Sequence, residues 1–445
     1  MNTKKQLSVV FLTLLIDLFA FTVILPIFPS LIVEYQKEEN FLLTNILYGI
    51  RWFKTNILNQ TGVDNALEST LLGGIIGSLF SILQFIISPI IGKYSDTYGR
   101  KKTLIITVIG NLISSIIWFF AKDFSLFLLA RVVAGLSEGN VQIATTIISD
   151  ITSVQNRSKS MALVGLAFSI AFTVGPGLSG YFVSIDFFSQ KIHNLYNPHK
   201  FSSAALLACV LIFIELILLA LFLKESKESN VEKKEENSNG EKEVYKSENE
   251  AEYIQKKNVK IEDIVEISKL NNCHLLFLFL FSGIEFTLPF LAQHQYKFNS
   301  IQQGRMFGYL GILSACIQGF YVRRYKFNEG RNIVLGMLSC VISLLTLAFT
   351  IHFNLSISYL YLSITFLSFT SATVVSSMSS LTSIYATPIP NQRGEILGTF
   401  RSFGQLGRAI GPIVACTLYW AYGPIICYVL SAIGLTSTIF YFNTI

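Results

Sequence analysis

The chain has 445 residues, is 51% hydrophobic and carries only 14% Asp, Glu, Lys and Arg, where a soluble globular domain has roughly 25%. Of its 62 charged residues, 23 lie between positions 224 and 270, so the other 398 positions hold 39. Apolar runs long enough to cross a ~30 Å hydrocarbon core recur throughout, which excludes a water-soluble enzyme, a nucleic-acid-binding domain and a disordered protein.

The net charge of +6 is spread through short loops and forms no nucleic-acid patch. The six cysteines (Cys209, Cys273, Cys316, Cys340, Cys416 and Cys427) sit in or beside apolar segments without metal-ligand spacing, so no disulfide, metal or cofactor is expected. Met1 to Lys5 runs into an apolar stretch with no small-residue cleavage site and reads as the start of a retained first span.

In chain order, twelve transmembrane helices are predicted at roughly 8–33, 69–91, 103–121, 124–149, 160–184, 201–223, 271–293, 303–324, 331–352, 357–386, 394–421 and 424–443. With the N-terminus in the cytoplasm, 13 basic residues fall in short inside segments and seven in outside loops. The positive-inside bias therefore predicts that both termini are cytoplasmic. The long outside loop at 34–68 contains the sequon Asn59-Gln60-Thr61, a glycosylation candidate. Residues 224–270, with 10 basic and 13 acidic side chains, cannot bury enough apolar surface to fold alone and read as a cytoplasmic linker. The expected division is thus 1–223, a linker at 224–270, and 271–445.

The halves repeat. Gly77, Gly99 and Arg100 match Gly308, Gly330 and Arg331 at an offset of 231, and Arg157, Gly175 and Pro176 match Arg393, Gly411 and Pro412 at 236. A duplicated six-span unit implies two pseudo-symmetric bundles with a substrate site between them near mid-membrane.

The loop between spans two and three reads Gly92-Lys-Tyr-Ser-Asp96-Thr-Tyr-Gly99-Arg100-Lys101-Lys102. Its glycines suit a sharp turn, Asp96 suits a helix N-terminus or an Arg across the halves, and Arg100 is in reach of Asp150. The second copy has Phe327 in place of the acid. This loop resembles the signature of the major facilitator superfamily. Span one, with Asp17, Pro26 and Pro29, and span five, with Gly175, Pro176 and Gly180, resemble the twelve-span drug:proton antiporters, although Ala171 and Ser179 stand where that group usually has Gly. Phe281 to Pro289, Gln302-Gln303-Gly304 and Gly398 to Ser402 are similar to the animal tetracycline-transporter-like proteins. The resemblance implies export of organic anions or drug-like molecules, coupled to an ion.

Eight ionisable residues fall within apolar spans: Asp17, Arg131, Glu138, Glu215, Glu285, Arg305, Arg401 and Arg408. A charge at mid-bilayer costs ~2.5 kcal/mol or more, which makes each a functional candidate with an expected partner. At 1.5 Å per residue, Asp17 lies between Arg131 and Glu138 in depth, and the latter two share a helix face, so an Asp17–Arg131 pair is expected. A carboxyl balanced between burial and a nearby Arg can load and release a proton. Asp17, Arg131, Glu138 and Glu285 are the candidate coupling residues, and a fixed ion pair is the other reading of the first two. Arg401, Gln405 and Arg408 form one polar stripe, suited to a carboxylate or sulfonate unless Arg408 is taken by Glu285. Glu215 is expected to play no coupling part, and Arg305 to snorkel to the outer boundary. The expectation is a monomeric carrier in a plasma or intracellular membrane, exchanging small organic substrates for protons. An uncoupled facilitator and a non-transporting scaffold are the alternatives.

Overall fold

The computed structural model describes residues 3–24, 27–35, 40–56, 65–184, 201–227, 261–322 and 328–444; Asn59 lies outside them. The described residues are helices and short connections. In the first half these are α1 (Thr3–Thr22), α2 (Phe28–Tyr35), α3 (Phe41–Asn56), α4 (Asn65–Tyr98), α5 (Arg100–Phe120), α6 (Phe124–Ser137), α7 (Asn140–Ile151), α8 (Val154–Ser184) and α9 (Ser202–Phe222). The second half holds α10 (Ile261–Tyr296), α11 (Ser300–Cys316), α12 (Glu329–His352), α13 (Ile357–Tyr385), α14 (Arg393–Tyr422) and α15 (Pro424–Phe442).

Ten helical segments among the described residues are long and apolar enough to cross a membrane, with α6 and α7 together forming one. Two spans are less regular or more polar. Helix α11 is prolonged by a π-helical turn over Ile317–Val322, and α14 carries Arg393, Glu395, Arg401 and Arg408. Span one is broken, with α1 ending at Thr22 and α2 starting at Phe28, the other side of Pro26. Proline lacks the N–H that a continuous helix needs there.

The patterning is inverted relative to a soluble protein. On α5 the polar stripe Thr103, Thr107, Asn111 and Ser114 is buried, while Ile106, Ile109, Ile113 and Ile116 face outward. Both stripes recur at helical spacing, so one helix turns a lipid-compatible face outward and hides its hydrogen-bonding groups. Buried apolar side chains form two separate clusters, one drawn from Val10 to Leu223 and the other from Leu270 to Phe442. Helix α4 of the first half lies along α14 of the second, tied by Ser402 Oγ donating to the Phe85 carbonyl (2.6 Å) and Ser78 Oγ to that of Ala409 (2.8 Å).

Two boundaries differ from expectation. Helix α10 starts at Ile261, ten residues before the expected span at 271, because Ile267 and Leu270 bury and carry the helix onward from an acidic first turn. Span four breaks at Glu138–Gly139, where Glu138 has an extended backbone (φ −74, ψ 93). The segment at 34–68 contains α3, clamped to α4 by Arg51 Nε on Glu68 Oε2 at 3.1 Å.

Candidate functional site

The described residues place candidate side chains at two levels: an end where α4 turns into α5, and the middle of the bundle.

At the turn end, Gly99 has φ +98, a left-handed value that favours glycine. Gly92 faces the backbone of Gly394 so closely that a Cβ would collide with its carbonyl. That approach brings Asp96 onto the free N-terminus of α14, where it accepts from the backbone N–H of Gly394 (2.9 Å) and Glu395 (2.8 Å). Arg100, 1% exposed, donates to Asp96 Oδ1 (2.6 Å), Ser95 Oγ (2.8 Å) and Asp150 Oδ2 (3.0 Å). The structure therefore brings together Gly92, Asp96, Gly99, Arg100 and Asp150.

It adds residues that the sequence reading used only as repeat landmarks or charges. Arg393 crosses from the second half to Asp150 Oδ1 (2.7 Å). Arg157 crosses the other way, donating to the Ser383 carbonyl (3.0 Å) and Thr387 Oγ1 (2.7 Å). The offset of 236 thus marked two arginines that each reach into the opposite half. Glu225, expected only as part of a solvated linker, accepts from the backbone N–H of Arg100 (2.8 Å) and Lys101 (3.0 Å) and so caps α5. Its signal was an acid directly after span six, but the charge run behind it hid that signal. The contacts of Asp96, Asp150, Arg157 and Arg393 join the two halves at this end. All the inter-half hydrogen bonds among the described residues lie between here and the Ser78–Ala409 level.

At mid-bundle, Asp17 is 4% exposed and accepts from Asn140 Nδ2 at 2.6 Å. Thr107 Oγ1 donates to the other end of that amide at 2.7 Å, fixing its orientation. Glu138, buried at the break in span four, accepts from Asn111 Nδ2 at 3.3 Å. A helix interrupted at a carboxylate directs that group and the freed backbone into the interior. The expected Asp17–Arg131 pair is not formed. Arg131 lies 5.8 Å over the rings of Trp118 and Phe127, a cation–π site that competes with the carboxylate, and its Nε has no hydrogen-bond partner among the described residues. Asp17, Asn111, Arg131 and Glu138 nevertheless line one cavity of about 40 Å³, room for about two or three waters.

Glu215 is buried in the same region. It is 1% exposed, with Oε2 unpartnered among the described residues, and it interacts electrostatically with Asp17 and Glu138. Glu215 is on the same buried face of α9 as Ala208 and Ile212, which line that cavity.

From the second half, Arg401 interacts electrostatically with Asp17 and Glu138. Among the described residues it makes no hydrogen bond or ion pair. Arg408 does, with Glu285 at 3.4 Å, both side chains about 40% exposed. Gln405 is buried between the two arginines. Arg305 is exposed. On α8, Gly175 packs against Thr22 of α1 so that a Cβ would strike its hydroxyl; the helix continues through Pro176 and Gly180. Among the described residues no group of three or more His, Cys, Asp or Glu side chains is arranged to hold a metal.

A two-bundle helical membrane protein, latched across its halves at one end and with ionisable groups buried at its middle, is built as a carrier. Comparison with known proteins identifies which kind. The family model described as Major Facilitator Superfamily matches residues 10–412, and the chain belongs to that family. It is therefore a helical membrane transport protein with the fold of that superfamily, and not an enzyme. The chain is 35% identical to Major facilitator superfamily domain-containing protein 10 of Mus musculus over 96% of this chain and 90% of that protein. It is 22% identical to the class B tetracycline resistance protein of Escherichia coli over 94% of this chain and 89% of that one. The crystal structure of the human organic anion transporter MFSD10 (TETRAN) matches with a TM-score of 0.83 and 30% identity, covering 99% of this chain and 100% of that one. The resemblance read from the sequence to tetracycline-transporter-like proteins of the superfamily holds.

Proposed function

We propose that the chain is a secondary active transporter moving organic anions or amphipathic drug-like molecules by alternating access, coupled to protons. One observation carries this reading: the buried carboxyls Asp17 and Glu138, held only by neutral amides, line a cavity at mid-bundle, while Arg401 of the second half makes no hydrogen bond or ion pair among the described residues. A guanidinium recognises carboxylates and sulfonates bidentately, and buried carboxyls are the groups that can carry a proton across. Gln405 extends the anion subsite, and Arg408, already held by Glu285, borders it. The relative whose crystal structure is titled an organic anion transporter supports the substrate class, and the tetracycline resistance protein supports the drug-like one.

In this reading residues 1–223 and 271–445 are the two moving bodies and 224–270 tethers them on the cytoplasmic side. Both termini are cytoplasmic, and the contacts around Asp96 and Arg100 are the cytoplasmic gate in its closed state. Gly175, Pro176 and Gly180 mark a seam along which α8 slides on α1. The transport unit is a monomer in a plasma or intracellular membrane, with Asn59 glycosylated on the far side.

The test uses purified protein in liposomes loaded with a fluorescent organic anion, with and without an imposed pH gradient. Wild-type flux is expected to follow the gradient, and Asp17→Asn to retain flux but lose that drive. Flux that ignores the gradient in wild type overturns the coupling. If no anion moves under any gradient, the substrate assignment falls.

A further inference from the structure

The two aspartates of the latch, Asp96 and Asp150, are filled, yet two of its arginines are not. Arg157 and Arg393, 3% and 9% exposed, each keep an Nε–H without a partner among the described residues. Arg157 places its terminal nitrogens on neutral groups: the Ser149, Thr152 and Ser383 carbonyls and Thr387 Oγ1. Glu225 is occupied by the backbone N–H groups of Arg100 and Lys101. Asp96 and Asp150 therefore face three guanidinium groups, those of Arg100, Arg157 and Arg393. A buried donor left unmatched is unfavourable, so the chemistry of the latch suits one more anion.

The chain sets a hydroxyl at this point. Ser226 Oγ donates to Asp150 Oδ2 at 3.4 Å, on the same carboxylate whose other oxygen holds Arg393 Nη1 at 2.7 Å. The backbone around it is fixed. Glu225, while capping α5, also accepts from the N–H groups of Ser226 (3.0 Å) and Lys227 (3.1 Å), and Lys101 Nζ donates to the Ala220 carbonyl in the last turn of α9 (2.9 Å). Ser226 itself remains partly exposed. In the sequence it stands three residues before Ser229, which stands three before Glu232. That spacing suits protein kinases that read an acid or a phosphoserine at the third residue after their target.

We propose that Ser226 is a phosphorylation site and that its phosphate locks the gate closed. This inference rests on the reading above that makes this end the cytoplasmic gate, on the side where kinases and ATP are. Ser226 Oγ attacks the γ-phosphorus of ATP, the bond to the β-phosphate oxygen breaks, ADP leaves, and the hydroxyl proton passes to the kinase's catalytic base. The product carries about −1.5 to −2 charges and three acceptor oxygens. Asp150 repels it, but Asp150 belongs to the same half, so that repulsion does not part the halves. Across the seam stand Arg393, with its open Nε–H, and the N-terminus of α14, and both attract an anion. Glu395 is the acid of that first turn and is partly exposed, where water screens it. The linker, a tether while Ser226 is bare, becomes part of the latch once the phosphate is added.

The test uses the purified full chain with phosphoserine incorporated at position 226 during synthesis and spin labels at the exposed positions Val154 and Asn391, one in each half at this end. It is run in the Asp96→Asn background, which weakens the latch while keeping the side chain's shape, so that closure is visible. Phosphate should raise the ratio of closed to open at least about tenfold over bare Ser226, and phosphatase should reverse the change. Arg393→Gln should remove most of the gain. Ser226→Ala should stay within about twofold of the bare serine, because a 3.4 Å hydrogen bond is weak. A ratio that falls or does not move on phosphorylation overturns the lock. In a second arm, the wild-type chain is incubated with ATP and an acid-directed casein-type kinase, and the peptide that follows Leu223 is read by mass spectrometry. Phosphate at Ser226 is expected; phosphate at Ser229 alone, or at neither, overturns the site. If the label distance is the same in Asp96→Asn as in wild type, with and without phosphate, the gate reading fails and takes this inference with it.

Discussion

The gate end and the middle of the bundle use the same residue types to opposite effect. Around Arg100 the charges are saturated: Asp96 has an arginine and two backbone N–H groups, and Asp150 has Arg100 and Arg393. Around Asp17 they are not. Arg131 Nε and Glu215 Oε2 have no partner among the described residues, Asp17 and Glu138 have only amides, and Asp17, Arg131 and Glu138 line one cavity. Removing water from a charge is repaid only when its hydrogen-bonding positions are filled. A saturated buried network therefore holds one arrangement of the halves firmly. An unsaturated one is left responsive to whatever ion or ligand arrives next.

The sharpest way to break this contrast is at Asp96. Taking one partner out of a buried ion pair costs about 3–5 kcal/mol, and Asp96 also serves the α14 N-terminus. If these contacts are the proposed gate, Asp96→Ala shifts the halves toward an open arrangement by several hundredfold while leaving both folded. Spin labels at the exposed positions Val154 and Asn391, one in each half at the gate end, would register this as a lengthened distance distribution. An unchanged distribution would mean that helix packing, not the charge network, holds the gate.

The gate and the middle were not equally legible in the sequence. Gly92, Asp96, Gly99 and Arg100 are close in the chain, and the turn at Gly99 and the Asp96–Arg100 pair are local, so the spacing encoded that part of the geometry. Arg393 lies 243 residues from its partner Asp150, and Glu225 lies 125 residues from its partner Arg100, and only the internal repeat hinted at the first. At mid-bundle the depths of Asp17 and Glu138 were readable from the helical rise, but partner choice was not. The Asp17–Arg131 expectation ignored the Trp118 and Phe127 rings that claim Arg131. It also treated span four as unbroken, although the pair Gly135 and Gly139 beside Glu138 offered a sign of the interruption. The burial of Glu215 was not legible, because its face on α9 is specified by nothing local.

A middling effect is expected at Glu225, where the linker meets the gate. Its carboxylate caps α5 through two backbone N–H groups, an arrangement worth about 1 kcal/mol. Glu225→Ala should move the same spin-label distribution about fivefold toward open. A shift as large as that of Asp96→Ala would make the linker part of the lock and erase the distinction between latch and tether.

The smallest expected effect lies at Arg408 and separates it from Arg401, seven residues earlier on the same stripe. Arg408 and Glu285 are 3.4 Å apart with both side chains about 40% exposed, and exposed pairs are worth about 0–1 kcal/mol. Arg408→Gln should therefore change thermal stability little and leave affinity for the fluorescent organic anion within about threefold, because the lost cation was already neutralised by Glu285. Arg401 has no such neighbour within ion-pair distance among the described residues, so the same substitution there removes charge that a ligand would use. Equal losses of affinity at the two positions would show that Glu285 releases Arg408 when the anion binds, and the recognition site would then span both arginines.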